Sequence, residues 1–200
     1  PAILGGDHSV PLGAHVAAAR RYPGLGFLHI DAHADLRVAY EGFTWSHASI
    51  LYNTLQHAPN VGPVCQVGLR DVGAAERALA EGDDRLFWFT DPHLAWQLAD
   101  GTTWSSLCAR ILAPLPEHVW ITFDIDGLDP SLCPGTGTPV PGGLTWHQAM
   151  TLLSALANSG RRIVGFDLVE VGADPWDANV GARVLYKLAG HALSTHPTPR

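Results

Sequence analysis

Charge is scarce in this sequence, and positive charge scarcest. Only 16% of the 200 residues are charged, below the usual quarter. Lysine and arginine number 12 against 19 aspartates and glutamates, a net charge of −7. That balance excludes the basic face that nucleic-acid binding needs. A surface so poor in charge is expected to lie partly against another subunit. The three cysteines, Cys65, Cys108 and Cys133, form no Cys-x-x-Cys pair, which excludes a disulfide framework and a cysteine zinc site. No apolar run reaches membrane-spanning length and no signal-peptide pattern is present. The expected location is therefore cytoplasmic, with no membrane partner. Repeats and low-complexity tracts are also missing. The chain opens on Pro1 rather than Met, and Pro1-Ala2-Ile3-Leu4 reads as the end of a strand, so a fragment that begins in mid-fold is expected. Hydrophobic residues, at 46%, suffice for one sizeable core, and the 11 histidines and seven tryptophans are many for this length.

Short continuous apolar runs alternate with helical stretches. Gly26–Ile30, Val61–Leu69, Arg85–Thr90, His118–Phe123 and Arg162–Val169 read as strands covered on both faces. Ser9–Arg21, Val72–Glu81, Trp104–Leu112, Thr145–Ala157 and Val180–Leu193 read as helices, with Thr145 as an N-cap. The alternation predicts an α/β fold of three layers, a mostly parallel sheet between helices, as a single domain over residues 1–200. The Pro/Gly-rich stretch Asp129–Gly143 is a long loop of the kind that is usually functional. The tail 194–200 is expected to fray.

Ligands of open parallel sheets bind beyond the carboxyl ends of the strands. There the sequence concentrates its acids and imidazoles: Gly5-Gly6-Asp7-His8-Ser9, Asp31-Ala32-His33-Ala34-Asp35, Asp124-Ile125-Asp126 and Glu170 each follow a strand. In extended backbone, residues at i, i+2 and i+4 point to one side, which would gather Asp31, His33 and Asp35, and likewise Asp124 and Asp126. Four carboxylates with two imidazoles and no thiolate suit Mn²⁺ or a related divalent ion. Two such ions would neutralise Asp31, Asp35, Asp124 and Asp126, whose clustered charges otherwise repel. His47, in a Trp45-Ser46-His47 turn, reads as functional and His29 as a buried strand residue. The other histidines read as surface or core.

These motifs, in this order, resemble the ureohydrolase family of arginases and agmatinases. Gly5–Ser9, Asp31–Asp35 and Phe123–Pro130, running on to Pro134–Pro139 and Gly142-Gly143-Leu144, correspond to its signatures, as does Asp167–Val171. Tyr40–Ser49 is most similar to the agmatinase-like branch that includes plant arginases. The resemblance implies an arginase-like sheet with its first strands absent, the chain being the C-terminal two thirds of a longer one. It implies two Mn²⁺ per chain, one held by His8, Asp31, Asp35 and Asp124 and the other by His33, Asp31, Asp124 and Asp126. A hydroxide between them attacks the guanidinium carbon, giving urea and an amine. By the same resemblance Asp35 relays a proton, His47 shuttles protons, Glu170 pairs with the guanidinium, and Thr138 is a substrate-side hydrogen-bonding residue. A homotrimer or hexamer is implied as well.

Two positions depart from the animal arginases. Arg37 stands where they carry an Asn that reads the α-carboxylate, and Gly73 where they carry an Asp that reads the α-amino group. Arg37 is expected to pair with a substrate carboxylate, with Glu41 in a short helical turn, or with a neighbouring subunit. A one-zinc, deacetylase-like amidohydrolase and a non-catalytic arginase-fold metal binder are the alternatives.

Overall fold

A computed structural model of the protein describes residues 1–196. Of the tail expected to fray, Ser194 closes the last helix, and residues 197–200 lie outside the described residues. In chain order the elements are β1 (Ala2–Leu4), α1 (Leu12–Arg21), β2 (Gly26–Ile30), α2 (Ile50–His57), β3 (Val64–Val67), α3 (Ala74–Glu81), β4 (Leu86–Phe89), α4 (Asp91–Ala99), α5 (Trp104–Leu112), β5 (His118–Asp124), α6 (Trp146–Ala157), β6 (Arg162–Val169) and α7 (Pro175–Ser194). Short 3₁₀ turns occupy His47–Ser49 and Ile125–Gly127.

The strands form one sheet in the order β1-β6-β5-β2-β3-β4, and each pairing is parallel. Residues Leu28, Ile30, Cys65, Val67, Ile121 and Phe123 pack under α5, α6 and α7. Phe27, Val64 and Trp120 face the other way, against α1 and α2. Three layers result, and because both faces are covered the strands are apolar without alternation.

The helix Thr145 caps is formed as expected, its hydroxyl accepting from the Gln148 N–H at 3.2 Å. Other boundaries differ for local reasons. α1 begins at Leu12 rather than Ser9, because Asp7 turns the chain by accepting from the Ser9 N–H at 2.8 Å. β3 is shorter than Val61–Leu69: Pro63 offers no N–H to a ladder, and Gly68 leaves the strand at φ 98°. α7 starts at Pro175 rather than Val180, because Asp174 caps it through the Trp176 N–H at 2.8 Å and Pro175 suits a first turn. Helices α2 and α4 were not expected. α2 buries Asn53 and Thr54 among its apolar residues, which blurs the periodicity, and α4 buries only Leu94 while exposing Trp96.

Candidate metal centre

The chain runs outward from β2 to β3 and β4, then returns to the opposite side of β2 as β5. Such a reversal opens a crevice at the carboxyl ends of the two central strands, where Asp31 and Asp124 sit. The backbones approach so closely there that a Cβ on Gly127 would lie 2.7 Å from the Asp31 nitrogen. The residues that follow are not extended, contrary to the expected alternation. Asp31 Oδ1 accepts from the His33 N–H at 2.6 Å, and Asp124 Oδ1 from the Asp126 N–H at 2.8 Å. Each aspartate thus turns its own loop. Asp126 falls in a 3₁₀ turn, and Asp35 takes a left-handed backbone, φ 55°. Convergence comes from these turns rather than from the pleat.

Two imidazole nitrogens mark two centres. His8 Nδ1 lies 3.1 Å from Asp35 Oδ2 and 3.2 Å from both Asp31 Oδ2 and Asp124 Oδ2. It is buried and has no aligned hydrogen-bond partner. Its ring partner Nε2 is 2.8 Å from Thr122 Oγ1, which donates to Asp167 Oδ1 at 2.7 Å and so must accept from the imidazole. The proton is thereby placed on Nε2, and the Nδ1 lone pair faces three carboxylate oxygens. That orphaned buried atom fits a cation among them. His33 Nδ1 marks the second centre, 3.0 Å from Asp126 Oδ2 and 3.3 Å from Asp31 Oδ1. Asp31 faces both centres, one oxygen each. The ligand-type atoms of His8, His29, Asp31 and Asp35 lie within 4.8 Å of one another, as do those of Asp31, His33 and Asp126, so each group can hold a metal ion.

The electrostatics fit a cation-binding cluster. Burial and the charge of Asp31 push Asp35 up to about 6, and burial with the charges of Asp31 and Asp126 holds Asp124 well above the carboxylate range. Burial disfavours the imidazolium at His33, yet Asp126 and Asp31 raise it to about 11. At His8 burial likewise opposes and is outweighed by Asp124, Asp31 and Asp35. Without a metal, the cluster collects protons.

Around this cluster, Arg37, His47, Thr138 and Glu170 line one cleft with His8, His33, Asp35 and Asp124. Glu170 has φ 59°, a strained conformation for a residue with a side chain. Its Oε1 accepts from the His8 N–H at 2.8 Å, and burial raises its pKa. Thr138 Oγ1 donates to Asp126 Oδ2 at 3.2 Å. His47 sits at the rim, Nδ1 3.2 Å from Asp7 Oδ2 and edge-on to the Tyr40 ring. Arg37 lies over the Tyr40 ring at 5.3 Å, with Nε 3.8 Å from Glu76 Oε2. Its carboxylate neighbour is thus Glu76, not the expected Glu41, because Glu76 is anchored beneath the Arg37 segment by the Leu36 and Gly73 N–H groups.

The profile of the Arginase family matches residues 1–193. The chain belongs to the arginase family. It is 40% identical over 172 residues to an N(1)-aminopropylagmatine ureohydrolase of Thermus thermophilus, covering 84% of this chain and 53% of that protein. It is 31% identical over 206 residues to a guanidinobutyrase of Pseudomonas aeruginosa, covering 94% and 59%. Among solved structures, the proclavaminate amidino hydrolase of Streptomyces clavuligerus superposes with a TM-score of 0.83 at 25% identity, over 98% of this chain and 64% of that one. The chain therefore spans just over half the length of the curated relatives it matches.

Two residues of this arginase-family chain hold parts that the motifs alone did not assign, although Asp167 falls within one of them. Asp167, fully buried, accepts from Trp120 Nε1 at 2.6 Å and Thr122 Oγ1, and lies 2.9 Å from His15 Nε2. Arg70 donates to the carbonyls of Gly68, Asp126, Leu128 and Val140, tying the Thr138 loop to the sheet edge. One signal was present: His29 and Thr122 each stand two residues before a ligand-bearing aspartate, as polar residues inside apolar strands.

Proposed function

We propose that the protein is a binuclear manganese hydrolase cleaving a guanidinium group to urea and an amine. The observation that carries this reading is the unpartnered, buried His8 Nδ1 facing Asp31, Asp35 and Asp124. His8, Asp31, Asp35 and Asp124 would hold one ion, and His33, Asp31, Asp124 and Asp126 the other. Two divalent ions bound there supply a water activated for attack near neutral pH. Glu170 pairs with the guanidinium and turns its carbon toward the cluster, through a charge-assisted contact. Asp35 accepts a proton from the attacking water. His47 exchanges protons with solvent and protonates the leaving amine. Thr138 hydrogen-bonds on the substrate side. Arg37 offers a guanidinium to a substrate carboxylate, which would favour a guanidino acid over a decarboxylated guanidine. Relatives named for an aminopropylagmatine, a guanidinobutyrate and an arginine activity have in common a guanidino group on an unbranched alkyl chain, and such alkylguanidines are the substrate class proposed here.

A homo-oligomer, trimer or hexamer, and a cytoplasmic location complete the reading. Exposed Trp45, Trp96 and Trp176 support association, as apolar surface that another subunit would cover. No helix among the described residues is long and apolar enough to cross a membrane.

The test is urea release with Mn²⁺ from arginine, agmatine, guanidinobutyrate and guanidinopropionate, together with the metal content per chain. Urea from at least one, with a metal count near two, supports the reading. A count near one with amide hydrolysis and no urea would assign a deacetylase-like activity instead. A count near two with no urea from any guanidine would leave a non-catalytic metal binder.

A further inference from the structure

The sheet carries a polar row directly beneath the ligands. Strand register places Trp88 beside Gln66, Gln66 beside His29, His29 beside Thr122, and Thr122 beside Asp167. Four of these five are fully buried, in a sheet whose other polar side chains, His118, Asp124 and Arg162, stand at strand ends. Buried polar groups persist where each is satisfied, and here the donors and acceptors can be counted out.

An indole nitrogen can only donate. Trp88 Nε1 lies 2.7 Å from the Gln66 side chain and donates to its Oε1. The amide nitrogen must then face the other way. It donates to the Ala34 carbonyl at 2.8 Å, a contact that by itself also forbids an oxygen there. The second amide hydrogen points at His29 Nδ1, 3.0 Å away. His29 Nδ1 is therefore an acceptor, and the ring proton sits on Nε2, 2.8 Å from Asp31 Oδ2. With both nitrogens committed, His29 has no lone pair for a metal, although it lies among the ligand-type atoms around His8.

Resting on the reading of the cluster as a metal centre, we propose that Gln66 is a positioning residue for it. Its amide fixes His29 as an Nε2–H donor that orients Asp31, the carboxylate facing both centres. The same amide holds the Ala34 carbonyl immediately before the left-handed Asp35. One side chain thus sets two ligand-bearing segments, and its own orientation is set by Trp88 on the neighbouring strand. Removing a group hydrogen-bonded directly to a metal ligand, as His29 is to Asp31, typically costs about 10–100-fold in affinity, and Gln66 acts through that group.

The experiment uses the whole chain labelled with ¹⁵N-histidine, metal-free and then titrated with Mn²⁺. In the parent, the His29 ring should show Nδ1 unprotonated and Nε2 protonated. Gln66→Glu replaces the donor by acceptors, so His29 should gain a proton on Nδ1 and Mn²⁺ affinity should fall by up to roughly 10–100-fold, the full effect of losing a ligand's direct partner. Trp88→Phe removes only the group that orients the amide. It keeps the test decisive if Gln66→Glu fails to fold, and should give mixed His29 tautomers with a smaller loss of affinity. A parent His29 protonated on Nδ1 would overturn the proposal. So would a folded variant that keeps both the parental tautomer and the parental affinity while losing only thermal stability, since that is what a purely structural glutamine would do. Should the parent bind no Mn²⁺, the metal-centre reading fails and the proposal with it, whereas Mn²⁺ binding with the wrong His29 tautomer overturns the proposal alone.

Discussion

At the scale of single residues, the cluster is a set of charges that need one another. Asp124 Oδ2 faces His8, and Oδ1 holds the Asp126 N–H. Asp124→Asn removes a charge from the centre while keeping the shape, so metal content should fall and urea production should nearly vanish. Metal analysis beside the urea assay checks both, and full metal content with full activity would sink the ligand assignment. His47 is outside the ligand set, and its ring meets Asp7 and Tyr40 at the rim. His47→Asn should leave metal content unchanged and slow turnover by roughly 10²–10⁴, the usual contribution of a positioned proton donor, with partial rescue by imidazole. Unchanged turnover per folded molecule would make it a rim residue without a chemical role. Metal uptake should also depend on pH. Asp35 at about 6 and His33 at about 11 bind protons where a metal would sit. Ion binding therefore releases protons, and affinity must rise with pH. Calorimetric titrations in buffers of different ionisation enthalpy read that release directly; buffer-independent heats would contradict it.

At the scale of elements, the loop after β5 matters most. Gly143 has φ 101°, and a Cβ there would lie 2.7 Å from the Leu128 carbonyl and 2.8 Å from Arg70 Nη2. Gly143→Ala should therefore cost about 1–3 kcal/mol of stability, and it should displace the Arg70 anchor and with it the loop bearing Thr138. Thermal unfolding and the KM for the guanidine check the two consequences separately. A loop that tolerates the methyl, with Tm and KM unchanged, would show that Arg70 does not hold it. Elements also explain which parts of the fold were legible. Strands buried on both faces announce themselves as apolar runs, and Thr145 announces a cap. α4 does not, because an element that buries only Leu94 carries no periodic signal.

At the scale of the whole molecule, the three cysteines lie in different places: Cys65 in β3, Cys108 in α5 and Cys133 in the loop after β5. Burial pushes their thiols up, to about 12 for Cys65 and Cys133 and about 11 for Cys108. An unfolded thiol titrates near 8.5. Above that pH the unfolded chain loses protons that the folded chain keeps, so stability falls as pH rises toward 11–12. Denaturant midpoints from pH 8 to 10 should show the decline, and the triple Cys→Ala variant should lose most of it. A thiol reagent should label none of the three in the folded protein and all of them after unfolding; labelling of the folded chain would disprove their burial.

The amino-acid sequence by itself determined the layer architecture and the set of chemical groups. Buried parallel strands must be apolar, and residues that follow such strands must lie at one edge of the sheet. Asp31, His33, Asp35, Asp124, Asp126 and His8 could thus be named without coordinates. The tertiary structure alone decided how they meet. Alternation suggested an extended arrangement, but the aspartates bend their own loops by accepting backbone N–H groups, and Asp35 turns left-handed. The partner of Arg37 was equally beyond reach, because Arg37 lies in the loop after β2 and Glu76 comes from α3. So was the row Trp88–Gln66–His29–Thr122–Asp167. Each of its members lies inside a largely apolar strand, and only strand register, a property of the assembled sheet, sets them side by side.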